Sequence, residues 1–464
     1  MRSGKEIHFE ISERKILLRL FDVLSIVFSL YVVDYLFNFK YFDFSAQNFY
    51  WIVVLGIYIN VFGTVFEMYN LQVASNQLQV LRSIVLTSCI TSLFYLLTPV
   101  FTPFLPLNRL QILYFFLAIF CGLLFWRIFY QAFLASYRFE KKVLLICDRE
   151  QVEELVTGLE NIDPHYRIIA YLNSDSHEND TFRYDYVTNL RIEELDDFVK
   201  ANSVSEIVIA SQKTDGMTVP LYNKLLYMLE SGFTIREYTQ VYETITQRIP
   251  IQHFDKDFYR YFPFSRNNQN KLYLLVVRAL EITLALVGIC IGVLLLPFIW
   301  IGNFIGNKGK LFYLQTRVGK NGLPFVIYKL RTMVKNAEQD GAVFATNNDH
   351  RVTPFGKFLR KARIDEIPQF INILKGDMGF IGPRPERPVF VQELAEVMPF
   401  YETRHVIKPG LTGWAQVNYA YGETMADSLI KLQYDLYYIK HRSVFLDLNI
   451  LIKTFSTVLF YRGQ

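Results

Sequence analysis

The sequence predicts a membrane protein in three parts: a bundle of four transmembrane helices, an α/β domain with a parallel sheet, and a mixed α/β domain with a further membrane helix. Three observations support this fold class. The chain has 464 residues, enough for more than one domain, and 52% are hydrophobic, which is apolar for a soluble protein. Four long apolar runs come first, and alternating strand and helix patterns follow. A fifth apolar run precedes the C-terminal part.

Each of the four N-terminal runs is long enough to cross a bilayer as a helix. They cover approximately Ile16 to Phe37, Phe49 to Tyr69, Ile84 to Leu105, and Leu110 to Phe133. Lysines and arginines lie before the first run and after the last, whereas the short loops carry few cations. The positive-inside rule therefore puts both ends of the bundle in the cytoplasm. No signal-peptide cleavage site follows the first run, so we interpret it as a retained membrane segment.

Charged residues inside the membrane runs are few. Asp22 and Asp34 lie in the first run and either mark a polar path or make interhelical or interfacial contacts. We favour contacts, because no opposing basic residue in the pattern indicates a relay. The net charge of +4 is too small to imply nucleic-acid binding, and the four cysteines show neither metal-ligand spacing nor a disulfide framework.

From Lys141 onward, short β-rich runs alternate with helical patterns. The runs KVLLICD, YRIIAYL and EIVIAS predict strands of βα units, and hence a Rossmann-like domain. A dinucleotide site requires G-x-G-x-x-G after the first strand, but Cys147, Asp148, Arg149 and Glu150 stand there. We therefore expect a structural, oligomerising or regulatory domain rather than a cofactor domain.

The fifth apolar run, Leu280 to Ile305, is long enough to span a bilayer. A full crossing would export residues 306–363, which hold twelve Lys or Arg against three Asp or Glu. The positive-inside rule disfavours that topology. We therefore favour a re-entrant helix that breaks at Pro297 and returns to the same face.

The run KFLRKARIDEIPQFINILKGDMGFIGPRP, from Lys357 to Pro385, carries the chemistry. Asp365 stands at a predicted helix N-cap, Glu366 and Pro368 suit the first turn, and Gly376 suits the end of the helix. An apolar face recurs at helical spacing through Ile367, Phe370, Ile371 and Leu374. Four cations precede the carboxylates, namely Lys357, Arg360, Lys361 and Arg363. The pattern predicts an anion site around a carboxylate.

A carboxylate among cations is expected to keep a low pKa and stay ionised, which suits a nucleophile that attacks phosphorus. Such an attack needs the phosphate charge masked, usually by a divalent metal. The alternative for an isolated Asp-Glu pair is simple helix capping. The surrounding sequence decides between these interpretations.

The segment from about Gln315 to Lys440 resembles the bacterial sugar transferase family, the monotopic polyprenyl-phosphate hexose-1-phosphate transferases or phosphoglycosyl transferases. The resemblance lies in six blocks in the family's order: QTRVGKNG, YKLRTM, RIDEIPQ, LKGDMGFIGPRPE, KPGLTGWAQVN and YDLYYIK. It implies that Asp365 forms a covalent phosphosugar intermediate, that Glu366 handles a proton, and that Mg²⁺ is required. It also implies a re-entrant helix and a central domain similar to a CoA-binding domain, as in the family's large members.

Five basic residues are candidate ligands of substrate phosphate: Arg317, Lys329, Arg331, Arg360 and Arg384. Lys329 and Arg331 alternate along a strand-like run, so both are expected to point to one face. Two prolines, at 383 and 385, fix the backbone around Arg384. Asp377 is either a second metal ligand beside Asp365 or a turn residue.

The block KPGLTGWAQVN predicts a tight loop that displays Trp414, Gln416 and Asn418 for contact with a base or sugar. Trp414 is equally interpretable as a core or membrane-interface residue. Leu446 to Phe460 is apolar but too short to span, so it lies on the membrane surface or against the domain.

The predicted domains are a four-helix transmembrane domain at 1–137, a CoA-binding-like domain at 138–268, and a catalytic domain at 269–464 with its re-entrant helix at about 280–305. The predicted activity transfers sugar-1-phosphate from a UDP-sugar to undecaprenyl phosphate and releases UMP, which initiates polysaccharide synthesis. The predicted location is the bacterial inner membrane, with the catalytic domain on the cytoplasmic face. Homodimerisation stays open. The alternatives are a non-catalytic assembly or regulatory protein of polysaccharide export and a membrane nucleotide-sugar dehydratase.

Overall fold

The structure is a computed structural model, and it describes residues 11–66, 68–69, 77–130, 132, 141–148, 151–160, 166–173, 187–210, 218–251, 265–307, 309–334, 337, 349–419 and 424–459. Two compact units divide the chain, Met1–Thr246 and Gln247–Gln464. The first contains the N-terminal helices and the parallel sheet. The second contains the carboxylate pair.

Four apolar helices open the first unit: α1 (Ile11–Phe37), α2 (Phe49–Val65), α3 (Gln77–Leu97) and α4 (Leu110–Phe129). Each is long and apolar enough to cross a membrane. The four predicted runs are thus confirmed as helices, although α3 covers Gln77–Leu97 rather than the predicted Ile84 to Leu105. Residues 131 and 133, in the last predicted run, lie outside the described residues.

Asp22 makes an interhelical contact, as favoured from the sequence. Its Oδ2 lies 2.7 Å from Nη2 of Arg127 on α4, and both side chains are buried. The sequence pattern did not indicate this basic partner, because 105 residues separate the two positions. A buried charge is stable in such a place only when it is paired.

The rest of the first unit is a parallel α/β domain, as the sequence predicts. Its five strands are arranged in the order β3-β2-β1-β4-β5 and all pair in parallel. The strands are β1 (Lys141–Cys147), β2 (Tyr166–Asn173), β3 (Thr188–Leu190), β4 (Glu206–Ile209) and β5 (Thr234–Glu237). The helices are α5 (Val152–Glu160), α6 (Leu195–Ala201), α7 (Val219–Glu230) and α8 (Tyr238–Thr246).

Alternate residues of β1 face two separate cores. Val143 and Leu145 pack with α5 and α8, whereas Leu144 and Ile146 pack with α6 and α7. Helices therefore cover both faces of the sheet, which explains the nearly continuous apolar run in β1. Arg149 and Glu150, in the position where a dinucleotide fingerprint would stand, lie outside the described residues.

The second unit begins with α9 (Lys271–Gly306), a helix of 36 residues and hence about 54 Å. Pro297 lies inside this helix and does not end it, and the predicted re-entrant turn at this residue stays a prediction. Large apolar side chains on its outer face are highly exposed, including Leu294, Phe298 and Phe304 at 73–74%. An apolar surface of this extent indicates membrane contact.

Short elements make up the remainder of the second unit. A β6–β7 hairpin (Phe312–Val318 and Pro324–Leu330) pairs antiparallel, and β8 (Gly379–Ile381) pairs in parallel with β9 (Gly410–Thr412). The helices are α10 (Pro354–Lys361), α11 (Gln369–Lys375), α12 (Pro388–Val397), α13 (Trp414–Asn418), α14 (Met425–His441) and α15 (Val444–Leu459). Two 3₁₀ turns, Ile364–Glu366 and Tyr401–Val406, lie between them.

Two local predictions in this unit have clear outcomes. The turn predicted at Lys320–Gly322 joins β6 to β7, with Asn321 at φ 58° and Gly322 at φ 76°. In α15, Ile450 is fully buried while Phe445 on the opposite face is 85% exposed. This helix therefore packs on the domain with one face, which confirms that interpretation for the described residues; its position on a membrane surface stays a prediction.

Candidate active site

The carboxylate pair lies in a 3₁₀ turn, not at the start of a helix. Arg363 adopts a left-handed conformation with φ 52°, the turn Ile364–Glu366 follows, and α11 begins only at Gln369 with Pro368 as its cap. The predicted N-cap role of Asp365 is therefore wrong. The predicted helix end at Gly376 is confirmed, with φ 89°.

The predicted apolar face of α11 is confirmed only in part. Phe370 and Leu374 pack against a core that contains Ile373, but Ile371 is 40% exposed. The buried positions of this helix are Gln369, Asn372 and Ile373. The turn itself is nevertheless enclosed, because Asp365 and Glu366 are each only 8% exposed.

Glu366 lies among three cations from three parts of the chain. Its Oε1 accepts a hydrogen bond from Nη2 of Arg384 at 3.1 Å and lies 3.5 Å from Nζ of Lys329. Its Oε2 lies 3.3 Å from Nη1 of Arg363. Burial favours a raised pKa, but the Arg384, Lys329 and Arg363 cations outweigh it and hold the pKa of the Glu366 carboxyl well below its ordinary value.

Asp365 has the opposite environment. Burial and the negative charge of Glu366 raise the pKa of the Asp365 carboxyl to about 6, against the opposing effect of Lys329, Arg360 and Arg384. The sequence analysis expected a lowered pKa for Asp365, and that direction is wrong. The neighbouring cations are visible in the sequence, but the burial that raises the pKa is not. A group with this pKa is still mostly ionised at pH 7.

Three of the predicted phosphate ligands line one cleft beside the pair: Arg317, Lys329 and Arg384. Burial lowers the pKa of Lys329 to about 8, against the opposing charge of Glu366, which leaves this amine largely protonated at neutral pH. The same cleft includes Gln369, which the sequence analysis missed. Its Nε2 is buried and has no hydrogen-bond partner among the described residues, so it is available to a ligand oxygen.

The loop that carries Arg384 is held as rigidly as its prolines predict. Each of four consecutive carbonyl oxygens accepts a hydrogen bond: Pro383 from Gly410, Arg384 from Arg404, Pro385 from Arg317, and Glu386 from Val318. Arg404 is a second residue that the sequence analysis missed. It lies outside the six blocks, so its burial and its bond to Arg384 are visible only in the structure.

Arg360 and Arg331, the other two predicted phosphate ligands, bond different parts of the catalytic unit. Arg360 donates from Nε to Oγ1 of Thr332 at 2.8 Å, and its charge acts on Asp365. Arg331 lies just beyond β7 and donates from Nη2 to the carbonyl of Asn307 at 2.8 Å, at the end of α9. Lys329 and Arg331 therefore have different partners, and the expectation that both side chains point to one face stays a prediction.

The loop predicted to contact a base or sugar is mostly structural. Trp414 is 1% exposed and donates from Nε1 to the carbonyl of Gln247 at 3.2 Å, which makes it a core residue. Asn418 bonds the carbonyl of Trp414 and accepts from Nζ of Lys453 at 2.6 Å. Gln416 donates to the carbonyl of Leu411. For Trp414, the predicted ligand contact is therefore wrong.

Asp377 does not join Asp365. It follows α11 whereas Asp365 precedes it, and the helix between them adds about 10 Å. Among the described residues, no three His, Cys, Asp or Glu side chains form a cluster. Shared binding of one ion by these two residues is thus wrong. A Mg²⁺ ion held by one carboxylate and substrate phosphates fits the residues present, because Mg²⁺ is commonly bound in that way.

Comparison with known proteins identifies the second unit. Residues 272–461 match the bacterial sugar transferase family, and residues 64–219 match a CoA-binding domain family. The chain belongs to the bacterial sugar transferase family. It is a large member of that family, with apolar N-terminal helices, a CoA-binding-like parallel α/β domain and a sugar transferase domain.

Three relatives illustrate the match. A UDP-N-acetylgalactosamine-undecaprenyl-phosphate N-acetylgalactosaminephosphotransferase of Aeromonas hydrophila is 41% identical over 220 residues, which are 47% of this chain and 51% of the relative. A UDP-glucose:undecaprenyl-phosphate glucose-1-phosphate transferase of Escherichia coli (strain K12) is 34% identical over 282 residues, 58% of this chain and 57% of the relative. An uncharacterized sugar transferase of Bacillus subtilis (strain 168) is 34% identical over 194 residues, 41% of this chain and 90% of the relative. The chain thus spans about half the length of the two larger relatives.

Proposed function

We propose that the protein transfers a sugar-1-phosphate from a UDP-sugar to undecaprenyl phosphate and releases UMP. The observation that carries this proposal is the buried Asp365 beside a cleft lined by three cations, within a domain of the bacterial sugar transferase family. The names of two relatives supply the acceptor and the class of donor. One relative uses N-acetylgalactosamine and the other glucose, so the proposal extends to UDP-hexoses and UDP-N-acetylhexosamines.

The proposed reaction proceeds in two displacements at one phosphorus atom. A carboxylate oxygen of Asp365 attacks the sugar-linked phosphorus, the bond from that phosphorus to the bridging oxygen breaks, and UMP leaves with the electron pair. An oxygen of the lipid phosphate then attacks the same phosphorus, and the carboxylate of Asp365 leaves. No proton needs to move when the acceptor phosphate is dianionic, and a second phosphate pKa near 6 makes it mostly so at pH 7.

This scheme gives Glu366 an electrostatic role. Its low pKa does not suit the proton transfer that the family resemblance implies, because such a role requires a pKa near the working pH. Its contacts with Arg384, Lys329 and Arg363 instead hold three cations around the nucleophile. These cations then stabilise the charge that develops on the phosphate oxygens.

The residues that line the cleft are the proposed ligands of the donor. Arg317, Lys329 and Arg384 would bind the two donor phosphates, and the free amide donor of Gln369 would bind a phosphate or sugar oxygen. Asp365 and the donor phosphates would hold Mg²⁺, which masks phosphate charge when bound.

We also propose that α9 is re-entrant and that the catalytic unit lies on the cytoplasmic face. Phe370 occupies the space beside Gly288, and Phe355 packs against Gly302 and Gly306; a Cβ added to any of the three would come within 2.7 Å of these side chains. Near the start of the helix, Arg278 donates to the carbonyl oxygens of Ile373 and Leu374, so both ends of α9 contact the catalytic unit. A straight crossing would put about 30 Å of hydrocarbon between the ends, which those contacts oppose.

The test is UMP release by purified protein given undecaprenyl phosphate and a panel of UDP-sugars. Wild type is expected to release UMP with at least one donor, and Asp365→Asn is expected to be inactive. Wild type mixed with the donor alone should also gain the mass of one sugar phosphate. UMP release by Asp365→Asn at the wild-type rate would exclude the proposed nucleophile, and no release from any donor would exclude the activity.

A further inference from the structure

Arg404 and Asp435 form an ion pair deep in the catalytic unit. Nη2 of Arg404 lies 2.7 Å from Oδ2 of Asp435, and the two residues are only 7% and 2% exposed. Asp435 projects from α14 and Arg404 from the 3₁₀ turn Tyr401–Val406. Neither side chain lines the cleft beside the carboxylate pair.

The ion pair touches the site through one backbone atom. The same Nη2 of Arg404 donates to the carbonyl oxygen of Arg384 at 3.0 Å. Arg384 in turn donates from its own Nη2 to Oε1 of Glu366 at 3.1 Å. A continuous chain of contacts therefore links Asp435 in a helix to the carboxylate beside the nucleophile.

We propose that Arg404 and Asp435 are positioning residues that set the direction of the Arg384 side chain. The proposal rests on the proposed function, in which Arg384 binds donor phosphate. Proline on either side confines Arg384 to an extended conformation, but within that region its ψ still ranges over about 40° unless its carbonyl is held. Arg404 supplies that anchor, and Asp435 keeps the Arg404 guanidinium directed at the carbonyl.

The physical reason is geometric. An Arg fork binds phosphate well only when both of its N–H groups are aligned, and a displacement of about 1 Å can cost about a hundredfold in rate. Charge alone would not require the pair, because Arg384 keeps its charge in any orientation. Loss of the pair should therefore resemble partial loss of Arg384 itself.

The experiment uses the full-length Arg404→Met/Asp435→Leu double variant. Removing one partner would leave a buried unpaired charge, whereas replacing both by apolar residues of similar size is often neutral for stability. Arg404→Lys is the second variant, since it keeps a charge opposite Asp435 if the double variant does not fold. The matched control is Asp22→Leu/Arg127→Met, which removes an equally buried pair with the same 2.7 Å contact.

Two measurements separate this proposal from the proposed function. Hydrogen exchange of the backbone amides of Gly382, Gly410 and Val318, which bond from or onto this loop, should become at least tenfold faster in the double variant and stay unchanged in the control. In the transfer assay, kcat/KM for the UDP-sugar should fall about ten- to a hundredfold. In an Arg384→Ala background, the double substitution should lower kcat/KM by less than twofold further, because its target is gone.

Each outcome decides a different point. Unchanged exchange of the loop overturns the positioning role, whatever the activity. Equal losses of kcat/KM with and without Arg384 also overturn it, because they indicate a general structural effect. If wild type releases no UMP but exchange is still faster in the double variant, the positioning of Arg384 by Arg404 is supported and the proposed function is refuted.

Discussion

Lys329 and Arg331 stand two residues apart in one motif, and the structure predicts that replacing each by Met has a different effect. Nζ of Lys329 lies 3.5 Å from the Glu366 carboxylate and the side chain is 19% exposed. Arg331 instead bonds the carbonyl of Asn307 at the end of α9. Lys329→Met should therefore impair binding and transfer, whereas Arg331→Met should impair stability.

The magnitudes follow from the contacts that are lost. A hydrogen bond to a charged group contributes about 1.5–3 kcal/mol, so loss of Lys329 from a donor phosphate should lower kcat/KM about ten- to 150-fold. Loss of the Arg331 bond should cost the folded state about 1.5–3 kcal/mol, which lowers Tm by about 3–12 °C for a unit of this size. At a temperature where it remains folded, Arg331→Met should keep kcat/KM within about threefold of wild type.

Initial rates of UMP release against UDP-sugar concentration measure the first effect, and thermal unfolding followed by tryptophan fluorescence measures the second. Each variant is the control of the other, since both lose one cation from the same motif. A folded Arg331→Met that loses as much kcat/KM as Lys329→Met would refute the placement of Arg331. Wild-type kinetics for Lys329→Met would refute the placement of Lys329.

Three further predictions concern the nucleophile, the metal and the membrane helix. In the proposed reaction Asp365 must be ionised to attack, and its pKa is raised to about 6, so kcat/KM should fall below about pH 6. Glu366→Gln removes a negative neighbour and should move this midpoint to lower pH; an unmoved midpoint would contradict the assignment. Asp377→Asn should leave the Mg²⁺ concentration for half-maximal activity within about twofold of wild type, and a larger rise would restore Asp377 as a ligand. A side chain at Gly292 would come within 2.6 Å of Ile367, which follows the carboxylate pair. Gly292→Val should therefore lower the free energy of unfolding by about 1–3 kcal/mol and slow transfer, whereas Val293→Leu on the exposed face should change neither. Equal effects of the two variants would show that the packing is not specific.

Much of the fold follows from local pattern. Apolar runs of membrane length gave helices at Phe49–Val65 and Leu110–Phe129, and β-rich runs gave the parallel strands, because both signals depend on the residues of a single segment. Boundaries were less accurate, as in the helix that begins at Gln77. Pro297 shows the limit of such reasoning: a proline usually interrupts or kinks a helix, yet α9 continues beyond Pro297 to Gly306.

For the active site too, some features follow from the sequence and others only from the structure. The motifs located Asp365, Glu366 and most of the cations, since these residues lie in short blocks that are typical of a known family. Sequence alone could not supply the burial that raises the pKa of Asp365. That quantity depends on segments far away in the chain.

The sequence by itself therefore determined which residues carry charge and which segments are apolar, and hence the class of chemistry and its association with a membrane. Only the tertiary structure decided which cations meet which carboxylate, and it separated Lys329 from Arg331 and Asp365 from Asp377. It also revealed Arg404 and Asp435 behind Arg384. The physical reason is that pairing energies depend on distance and burial in three dimensions, whereas a motif records only order along the chain.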